Sequence, residues 1–489
     1  MGTAGGEGMF TVTVTKKEVV AAVLPLQEHW LPFSNLDLLL PPLDVGVFFC
    51  YKHPKSTTTS SSSSAAAEEN NFGSMVGVLK KAMAQVLVTY YAFAGEVVTN
   101  SVGEPELLCS NRGVEFSEAS ADVELKDLNL YNPDESIEGK LVPSKKNGVL
   151  SVQATQLKCG GMVVACTFDH RIADAFSANM FLVSWAETAQ SKSLISVLPS
   201  FRRSSLNPRR PVSPDPSLSN FYVPISSLPP PPKEPEAGAN VVNDDDDNHL
   251  ISRIYYIQAK DLTQLQSLAS PNGYRRTKLE AFSAFLWQLV AKCSVYNKKN
   301  NNAASREETF TRLGIVVDGR SRLMSSDHKT AIMGSYFGNV LSIPYGTNKV
   351  CDVIENPVSW VAGKVHEFLE NEATKDHFLG LIDWVEAHRP QPAVAKIYVS
   401  SSDDEPALVV SSGQRFPVSK VDFGWGSPVF GSYHFPWGGN TGYVMPMPSP
   451  AGDGGDWVVY MHLMKRHVEF IEKEAADFFR PLTADYLEV

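Results

Sequence analysis

A long stretch without regular hydrophobic patterning lies near the middle of the chain and limits what can fold around it. Between residues 191 and 249 the sequence contains Pro-Arg-Arg-Pro at 208–211, four consecutive prolines at 229–232 and four consecutive aspartates at 244–247. Proline lacks a backbone donor and like charges repel one another, so these segments favour an extended, hydrated chain. We therefore predict a long crossover segment between two folded halves.

The length also favours two halves, because 489 residues exceed what one hydrophobic core usually supports. We place an N-terminal domain at residues 1–195, the crossover at residues 196–249 and a C-terminal domain at residues 250–489. Strand-like alternation and helix-like spacing of apolar residues recur in both halves, which predicts an α/β (α+β) fold with a mixed sheet and helices in each. The predicted strands are residues 10–24, 149–157, 162–168, 251–257 and 313–317, and the predicted helices are residues 75–88 and 277–292.

Composition argues against several kinds of partner and compartment. A formal net charge of −11 disfavours nucleic acid, whose phosphates require clustered Lys and Arg. The chain has neither an apolar run long enough for a membrane helix nor the basic start and apolar core of a secretory signal. Its six cysteines lack metal-site spacing, so we expect reduced core residues. We therefore expect a cytoplasmic monomer that binds neither a membrane nor a metal.

His170 is the first candidate for chemistry. It directly follows a predicted strand and precedes Asp174 by four residues, and an imidazole with a pKa near 6.5 suits proton abstraction at cellular pH. Asp174 comes just before a helical pattern, where aspartate is a favoured N-cap. It either orients His170 as in a triad or caps the helix and pairs with a cation to hold the turn, and the second role is geometrically easier. A purely structural histidine is the alternative.

A second unusual segment is Asp422-Phe423-Gly424-Trp425-Gly426. Its two glycines allow tight backbone turns, Asp422 has the charge to pair with a cation, and Phe423 is suited to inward packing. An ordinary surface loop explains the same residues.

The His170-x-x-x-Asp174 segment in the first half and the Asp422 to Gly426 segment in the second resemble the two signatures of the plant BAHD acyltransferases. Further segments are similar to that family: Ser-Asn-Leu-Asp at 34–37, Tyr-Ala-Phe-Ala-Gly at 91–95, Asp-Gly-Arg-Ser-Arg at 318–322 and Tyr-Phe-Gly-Asn at 336–339. The resemblance implies two chloramphenicol-acetyltransferase-like domains joined by the crossover, with His170 in a solvent channel between them. Acyl-CoA, the co-substrate, then enters from one face and the acceptor from the other.

The resemblance also implies roles for individual residues. His170 is the general base that activates the acceptor, and Asp174 pairs with Arg320 to brace the histidine turn. The second signature lies away from the reacting atoms and is structural or supporting, through Asp422, Gly424, Trp425 and Gly426. The start of a helix at Arg276, Thr277 and Lys278 is expected to bind the CoA phosphates, and Ser411 and Gly413 are expected to contact the acceptor. No covalent nucleophile is required.

Substrate identity depends on finer similarities. Gly413 stands where shikimate and quinate transferases of the family carry tryptophan, which disfavours a shikimate acceptor. Residues 19–25, 29–32 and 45–51 are similar to the coniferyl alcohol acyltransferases, which transfer acetyl from acetyl-CoA to a monolignol hydroxyl. The alternatives are a hydroxycinnamoyl- or benzoyl-CoA transferase acting on another alcohol or an amine, a non-catalytic scaffold or regulator, and a condensation domain of a peptide synthetase.

Overall fold

The structure is a computed structural model that describes residues 10–53, 71–192, 196–228, 249–297, 309–324, 333–399, 405–451 and 454–489. We predicted an extended crossover partly from the proline run at 229–232 and the aspartate run at 244–247. Both runs lie outside the described residues.

The secondary structure alternates between strands and helices in both halves. The strands are β1 (Val12–Val20), β2 (His29–Pro32), β3 (Asp44–Tyr51), β4 (Glu96–Thr99), β5 (Pro105–Cys109), β6 (Val114–Ala121), β7 (Leu150–Leu157), β8 (Met162–Asp169), β9 (Tyr222–Pro224), β10 (Leu250–Ile257), β11 (Phe310–Asp318), β12 (Leu341–Ser342), β13 (Tyr345–Lys349), β14 (Ala393–Ala395), β15 (Ala407–Ser411), β16 (Phe430–His434), β17 (Gly442–Pro448), β18 (Trp457–Met464) and β19 (Arg480–Pro481). The helices are α1 (Phe72–Thr89), α2 (Pro133–Ser136), α3 (Ala175–Ala189), α4 (Ala259–Leu268), α5 (Lys278–Asn297), α6 (Arg320–Leu323), α7 (Val350–Glu355), α8 (Val358–Glu372), α9 (Lys375–His388) and α10 (Lys465–Glu474).

The first mixed sheet has the strand order β1-β6-β7-β8-β3-β16. The predicted hairpin is confirmed, since β7 and β8 pair antiparallel from Leu150 opposite Phe168 to Gln156 opposite Met162. Every residue of β8 is buried, which explains why its sequence is apolar throughout instead of alternating. The first strand, predicted at residues 10–24, is confirmed only for Val12–Val20, since its pairing with β6 ends where Val20 lies opposite Val114, the first residue of β6.

Helices α1 and α3 pack against each other, with the indole N–H of Trp185 donating to the Leu79 carbonyl at 3.0 Å. Each helix begins at a side-chain cap. The side chain of Asn71 accepts from Ser74 N at the start of α1, and that of Asp174 accepts from Ser177 N at the start of α3. The prediction of Asp174 as an N-cap is therefore confirmed, and the cap fixes where the chain turns from β8 into α3.

The second sheet has the order β12-β11-β15-β17-β18-β10-β19, with β13 also paired to β11. Helix α5 packs against α4, α8 and α10, and its buried Trp287 donates to Thr311 on β11 at 2.9 Å. The predicted strands at 251–257 and 313–317 and the predicted helix at 277–292 correspond to β10, β11 and α5. Two mixed sheets with helices confirm the α/β, two-domain fold class.

Strand β16 comes from the second half but completes the first sheet, pairing antiparallel with β3 from Phe430 opposite Cys50 to His434 opposite Gly46. The crossover is also less solvated than predicted, since Leu206, Leu218 and Tyr222 are buried in it. Strand β9 within it pairs with β14. The domain limits at residues 195 and 250 stay a prediction.

The six cysteines are free, and four of them are buried. Cys159, in the turn between β7 and β8, is exposed and Cys351 is half-buried, so the prediction of core cysteines is wrong for these two. Within the described ranges, no group of three metal-ligating side chains has a geometry that holds a metal ion. None of the helices in those ranges is long and apolar enough to cross a bilayer.

Candidate active site

A cavity of about 350 Å³ lies between the two sheets, and both halves of the chain contribute its walls. The first half contributes Leu39, His170 and Phe176, and the second contributes Val316, Tyr398 and Trp437, among others. A largely apolar concave site with a few polar groups is the usual form of a small-molecule site. His170 is thus placed where a reacting molecule has access to it.

His170 follows β8 directly, and its backbone N–H donates to the Leu43 carbonyl at 2.9 Å. Its ring lies edge-on to Phe435, with the ring centroids 6.2 Å apart. Burial lowers the pKa of His170 below the ordinary 6.5, although nearby oxygens and carboxylates partly oppose this effect. The imidazole is therefore neutral at cellular pH and able to accept a proton.

Asp174 is engaged by groups other than the His170 ring. Its two carboxylate oxygens lie 2.7 and 3.1 Å from the two terminal guanidinium nitrogens of Arg320, a bidentate pair that is almost fully buried. The same carboxylate accepts from the backbone N–H groups of Ser177 and Val340. This geometry is that of a brace and not of a triad, and it joins the start of α3 to the end of β11.

Arg320 is itself held on several sides. It donates to the carbonyls of Tyr336 and Gly338, lies 3.2 Å from Asp318, and stacks over the ring of Phe176 at 4.4 Å. Burial without partners would be costly for a guanidinium, and these contacts supply the partners. The turn that carries His170 is therefore fixed by residues from both halves.

The second signature lies away from the cavity. Asp422 accepts the backbone N–H groups of Gly424 and Gly426 at 2.8 and 3.0 Å, so its carboxylate closes the loop, and no cation of the described residues pairs with it. Both glycines have positive φ, +114° and +107°, which other residues rarely adopt. Trp425 stacks on Phe423, 5.6 Å between ring centroids, and does not line the cavity.

The residues predicted to bind CoA phosphates lie outside the cavity lining. Thr277 caps α5 by accepting from Glu280 N at 3.1 Å, while the Glu280 carboxylate accepts from Thr277 N at 2.6 Å. This capping box places a buried carboxylate at the helix start, where a phosphate was expected to bind. Arg276 and Lys278 remain half-buried beside it.

Ser411 and Gly413 do line the cavity, together with Ser412. A Cβ atom on Gly413 would lie 2.6 Å from Met447 and 2.8 Å from Met445, and its N–H donates to the Pro446 carbonyl at 3.0 Å. The glycine is therefore required by close packing against β17, and the two methionines fill the direction in which a larger side chain would point.

Several cavity residues were missed at the level of sequence. Tyr222, Tyr398, Tyr443 and Trp437 line the wall, yet they come from four separate segments with no motif that unites them. Asn339 donates to the carbonyl of His170. It belongs to the segment at 336–339 that is similar to the family, and this similarity is the sequence feature that could have identified it.

Comparison with known proteins gives a family for the whole chain. The model of the Transferase family matches residues 10–478. Shikimate O-hydroxycinnamoyltransferase of Nicotiana tabacum is 26% identical over 94% of this chain and 97% of its own. (Z)-3-hexen-1-ol acetyltransferase of Arabidopsis thaliana is 29% identical over 86% of this chain and 84% of its own. Anthranilate N-benzoyltransferase protein 1 of Dianthus caryophyllus is 29% identical over 93% of this chain and 96% of its own.

Solved structures share the fold. Vinorine synthase superposes with a TM-score of 0.65 at 19% identity and covers 96% of this chain and 98% of its own. TRI101 of F. sporotrichioides, complexed with coenzyme A and T-2, has a TM-score of 0.67 at 15% identity and covers 92% and 98%. At these identities the likeness shows a common architecture.

Proposed function

Because the chain belongs to the Transferase family, that of the BAHD acyl-CoA-dependent acyltransferases, we propose that it transfers acetyl from acetyl-CoA to the hydroxyl of a phenylpropanoid alcohol such as coniferyl alcohol. The observation that carries this proposal is the position of His170, neutral and turned into a cavity between the two sheets. Its Nδ1 atom is buried without a partner, and we assign Nε2 as the nitrogen that accepts the proton.

The reaction needs one base. Nε2 of His170 removes the proton of the acceptor hydroxyl as its oxygen attacks the thioester carbonyl carbon. The tetrahedral intermediate then collapses, the C–S bond breaks, and the proton passes from His170 to the leaving sulfur. A thioester is already activated, so the ester forms directly and no acyl-enzyme is required.

The acceptor end of the cavity favours neutral oxygenated rings. Tyr398 lines it, forms no hydrogen bond with another described residue, and has its pKa raised by burial, so it stays a neutral donor. Of the arginines in the lining, Arg320 is paired with Asp174, and Arg415 is a mostly exposed residue 3.9 Å from Asp318. A hydroxyl or methoxyl oxygen on an aromatic ring would satisfy Tyr398, whereas a carboxylate finds no buried cation that is not already paired.

The volume of the cavity favours the transfer of a small acyl group. About 350 Å³ is near the lower end of the range for ligand cavities, so a phenylpropanoid acceptor leaves little room for a second aromatic group. Hydroxycinnamoyl or benzoyl transfer is the second candidate, and the names of the hydroxycinnamoyl- and benzoyltransferase relatives favour it.

We also propose that CoA phosphates bind near Arg276, Thr277 and Lys278, at a distance from the thioester. Arg276 and Lys278 retain solvent access, and TRI101, which shares the fold, has been crystallised with coenzyme A. We further propose a cytoplasmic monomer that binds neither nucleic acid nor a membrane, and the net charge of −11 supports the exclusion of nucleic acid.

The test is a matrix of donors and acceptors. Purified protein is incubated with acetyl-, coumaroyl- or benzoyl-CoA and with coniferyl alcohol, shikimate or spermidine, and products are identified by mass spectrometry. We expect acetyl-coniferyl ester as the main product. Exclusive use of an aromatic acyl-CoA would replace the donor, exclusive acylation of spermidine would replace the acceptor class, and no product with any pair would support a non-catalytic scaffold.

A further inference from the structure

A chain of three polar side chains begins in the wall of the cavity and leads away from it. Tyr222 and Ser342 both line the cavity, and the phenol oxygen of Tyr222 lies 3.0 Å from Oγ of Ser342. Behind them, Nε2 of His377 lies 2.7 Å from the same Oγ, and His377 is not a lining residue. Neither the proton transfer at His170 nor the brace at Asp174 uses these three groups. Their position in the wall suits them to bind the acceptor.

Each member of the chain belongs to a different element. Tyr222 lies on β9 in the crossover, and Ser342 lies on β12, which pairs with the end of β11. His377 lies in the first turn of α9, where its backbone N–H donates to the hydroxyl of the N-cap Thr374. Tyr222 and Ser342 are almost completely buried, and His377 is half-buried. Three separate elements therefore fix the spacing of the polar groups.

The titratable members of the chain are neutral at cellular pH. Burial raises the pKa of Tyr222 to about 12, although Ser342 and the backbone of Ile343 partly oppose this effect. Burial lowers the pKa of His377 to about 4, and the charge of Asp215 opposes that effect only in part. A neutral imidazole has a hydrogen on one ring nitrogen and an acceptor at the other. The direction of the hydrogen bonds therefore depends on which nitrogen of His377 carries the hydrogen.

The hydroxyl hydrogens have two arrangements. If Nε2 of His377 is bare, Ser342 donates to it and Tyr222 donates to Ser342, so both hydroxyl hydrogens have an acceptor within the protein. If Nε2 carries the hydrogen, Ser342 donates to Tyr222, whose own hydrogen then has no acceptor in the described part of the chain. A buried donor without a partner is costly, which favours the first arrangement. That arrangement leaves a lone pair on the Tyr222 oxygen for a ligand.

We propose that Tyr222 is a specificity-determining residue whose phenol oxygen accepts from a free ring hydroxyl of the acceptor, and that Ser342 and His377 are positioning residues that act through it. This inference rests on the proposed function and deepens it, since it narrows the acceptor class to alcohols with an unmethylated phenol. A methoxyl group has no hydrogen to donate to Tyr222. Tyr398, which lines the same cavity, is the donor for another ring oxygen.

The test compares two acceptors that differ by one methyl group, p-hydroxycinnamyl alcohol and p-methoxycinnamyl alcohol. Their dissociation constants are measured by titration calorimetry, so the result does not depend on turnover. We expect the wild type to bind the hydroxyl compound about five- to tenfold more tightly, as one hydrogen bond typically gives, and Tyr222→Phe to lose this preference. A preference that came only from the size of the methyl group would survive in Tyr222→Phe, because the aromatic ring stays.

His377→Leu tests the chain behind Tyr222. Without Nε2, Ser342 donates to Tyr222, and Tyr222 then donates into the cavity, so we expect the preference to shift towards the methoxyl compound. A merely structural residue would weaken the binding of both compounds alike. We also expect Ser342→Ala to lose the preference and Ser283→Ala to keep it. Ser283 is the matched control because it is buried, does not line the cavity and has no hydrogen-bond partner among the residues described.

Equal affinity of the wild type for the two alcohols, or no binding of either, overturns the inference, and this result needs no variant to fold. An unchanged preference in folded Tyr222→Phe or His377→Leu overturns it as well. If the wild type binds the hydroxyl compound preferentially but does not acetylate it with acetyl-CoA, the proposed reaction fails while the binding inference is supported. The two failures are therefore distinguishable.

Discussion

At the scale of single residues, the site depends on a histidine whose burial keeps it neutral. Burial by itself lowers the pKa of the imidazole. The backbone carbonyl of His170, the nearby carboxylates and the Asn339 side chain raise this pKa and so partly oppose the effect of desolvation. The result is an imidazole that is neutral at cellular pH, so in the proposed role of base it does not need to lose a proton first. Its pH dependence follows from this balance.

We predict that the acid limb of kcat/KM lies below pH 6.5, the ordinary pKa of histidine. The neutral, active form predominates above the pKa, so activity is lost as pH falls through a value that burial has lowered. The pH profile of kcat/KM is measured between about pH 4 and 8, a range that includes the ordinary histidine pKa of about 6.5. The acceptor must not titrate in this range, so that any change in rate reports on the enzyme. A limb at or above 6.5 would contradict a buried base.

Tyr398 offers a second prediction at this scale. Tyr398→Phe removes a donor worth about 1 kcal/mol net, so we expect a fall of roughly five- to tenfold in kcat/KM for alcohols with ring oxygens. Cinnamyl alcohol, which lacks ring oxygens, should be affected little. Tyr345→Phe is the control, because Tyr345 bonds the Asn220 carbonyl and does not line the cavity. Equal losses for both alcohols would remove Tyr398 from acceptor recognition.

At the scale of elements, the turn between β8 and α3 is fixed by a buried ion pair that connects it to β11. Asp174 caps α3 through Ser177 N and pairs with Arg320, which follows β11 by two residues. Breaking a buried pair leaves the surviving charge without compensation, which is more harmful than losing a surface pair. The stability of this junction should therefore respond strongly to either partner.

We predict that Asp174→Ala lowers the free energy of unfolding by about 3–5 kcal/mol, because Arg320 stays buried without its carboxylate. Denaturant unfolding followed by circular dichroism measures the change. Glu124→Ala, which breaks an exposed pair with Lys126, is the control and should leave the midpoint unchanged. If the unfolding midpoint of Asp174→Ala changed as little as that of Glu124→Ala, the pair between Asp174 and Arg320 would not stabilise the junction between α3 and β11.

Local elements could be predicted from the sequence, and contacts between distant segments could not. The β7–β8 hairpin, the cap at Asp174 and the helix at α5 follow from short-range periodicity and capping chemistry. The pairing of β16 with β3 and the tyrosines of the cavity depend on how far-apart segments meet, which no local pattern records. Arg320 was predicted as a partner only through the family resemblance.

At the scale of the whole molecule, the halves are interdependent. Strand β16 of the second half completes the first sheet, and Arg320 and Asn339 from the second half hold the turn that carries His170. The cavity is lined by residues from both halves, so its geometry requires both of them. A site shared in this way favours a single folding unit over two independent ones.

We predict that the protein unfolds in one cooperative transition. Far-ultraviolet circular dichroism and tryptophan fluorescence should give the same denaturant midpoint, since Trp185 belongs to the first half and Trp287 to the second. Two separated midpoints would show that each half is stable without the other, against the coupling through β16.

The central claim is that His170 is the base for direct acyl transfer. The most direct measurement compares turnover and CoA binding in His170→Ala, with His53→Ala as an exposed-histidine control. Removing a general base typically costs about 10²- to 10⁴-fold. We expect a loss of turnover of that size with CoA binding retained, whereas turnover near that of the wild type in His170→Ala would show that His170 is not the base.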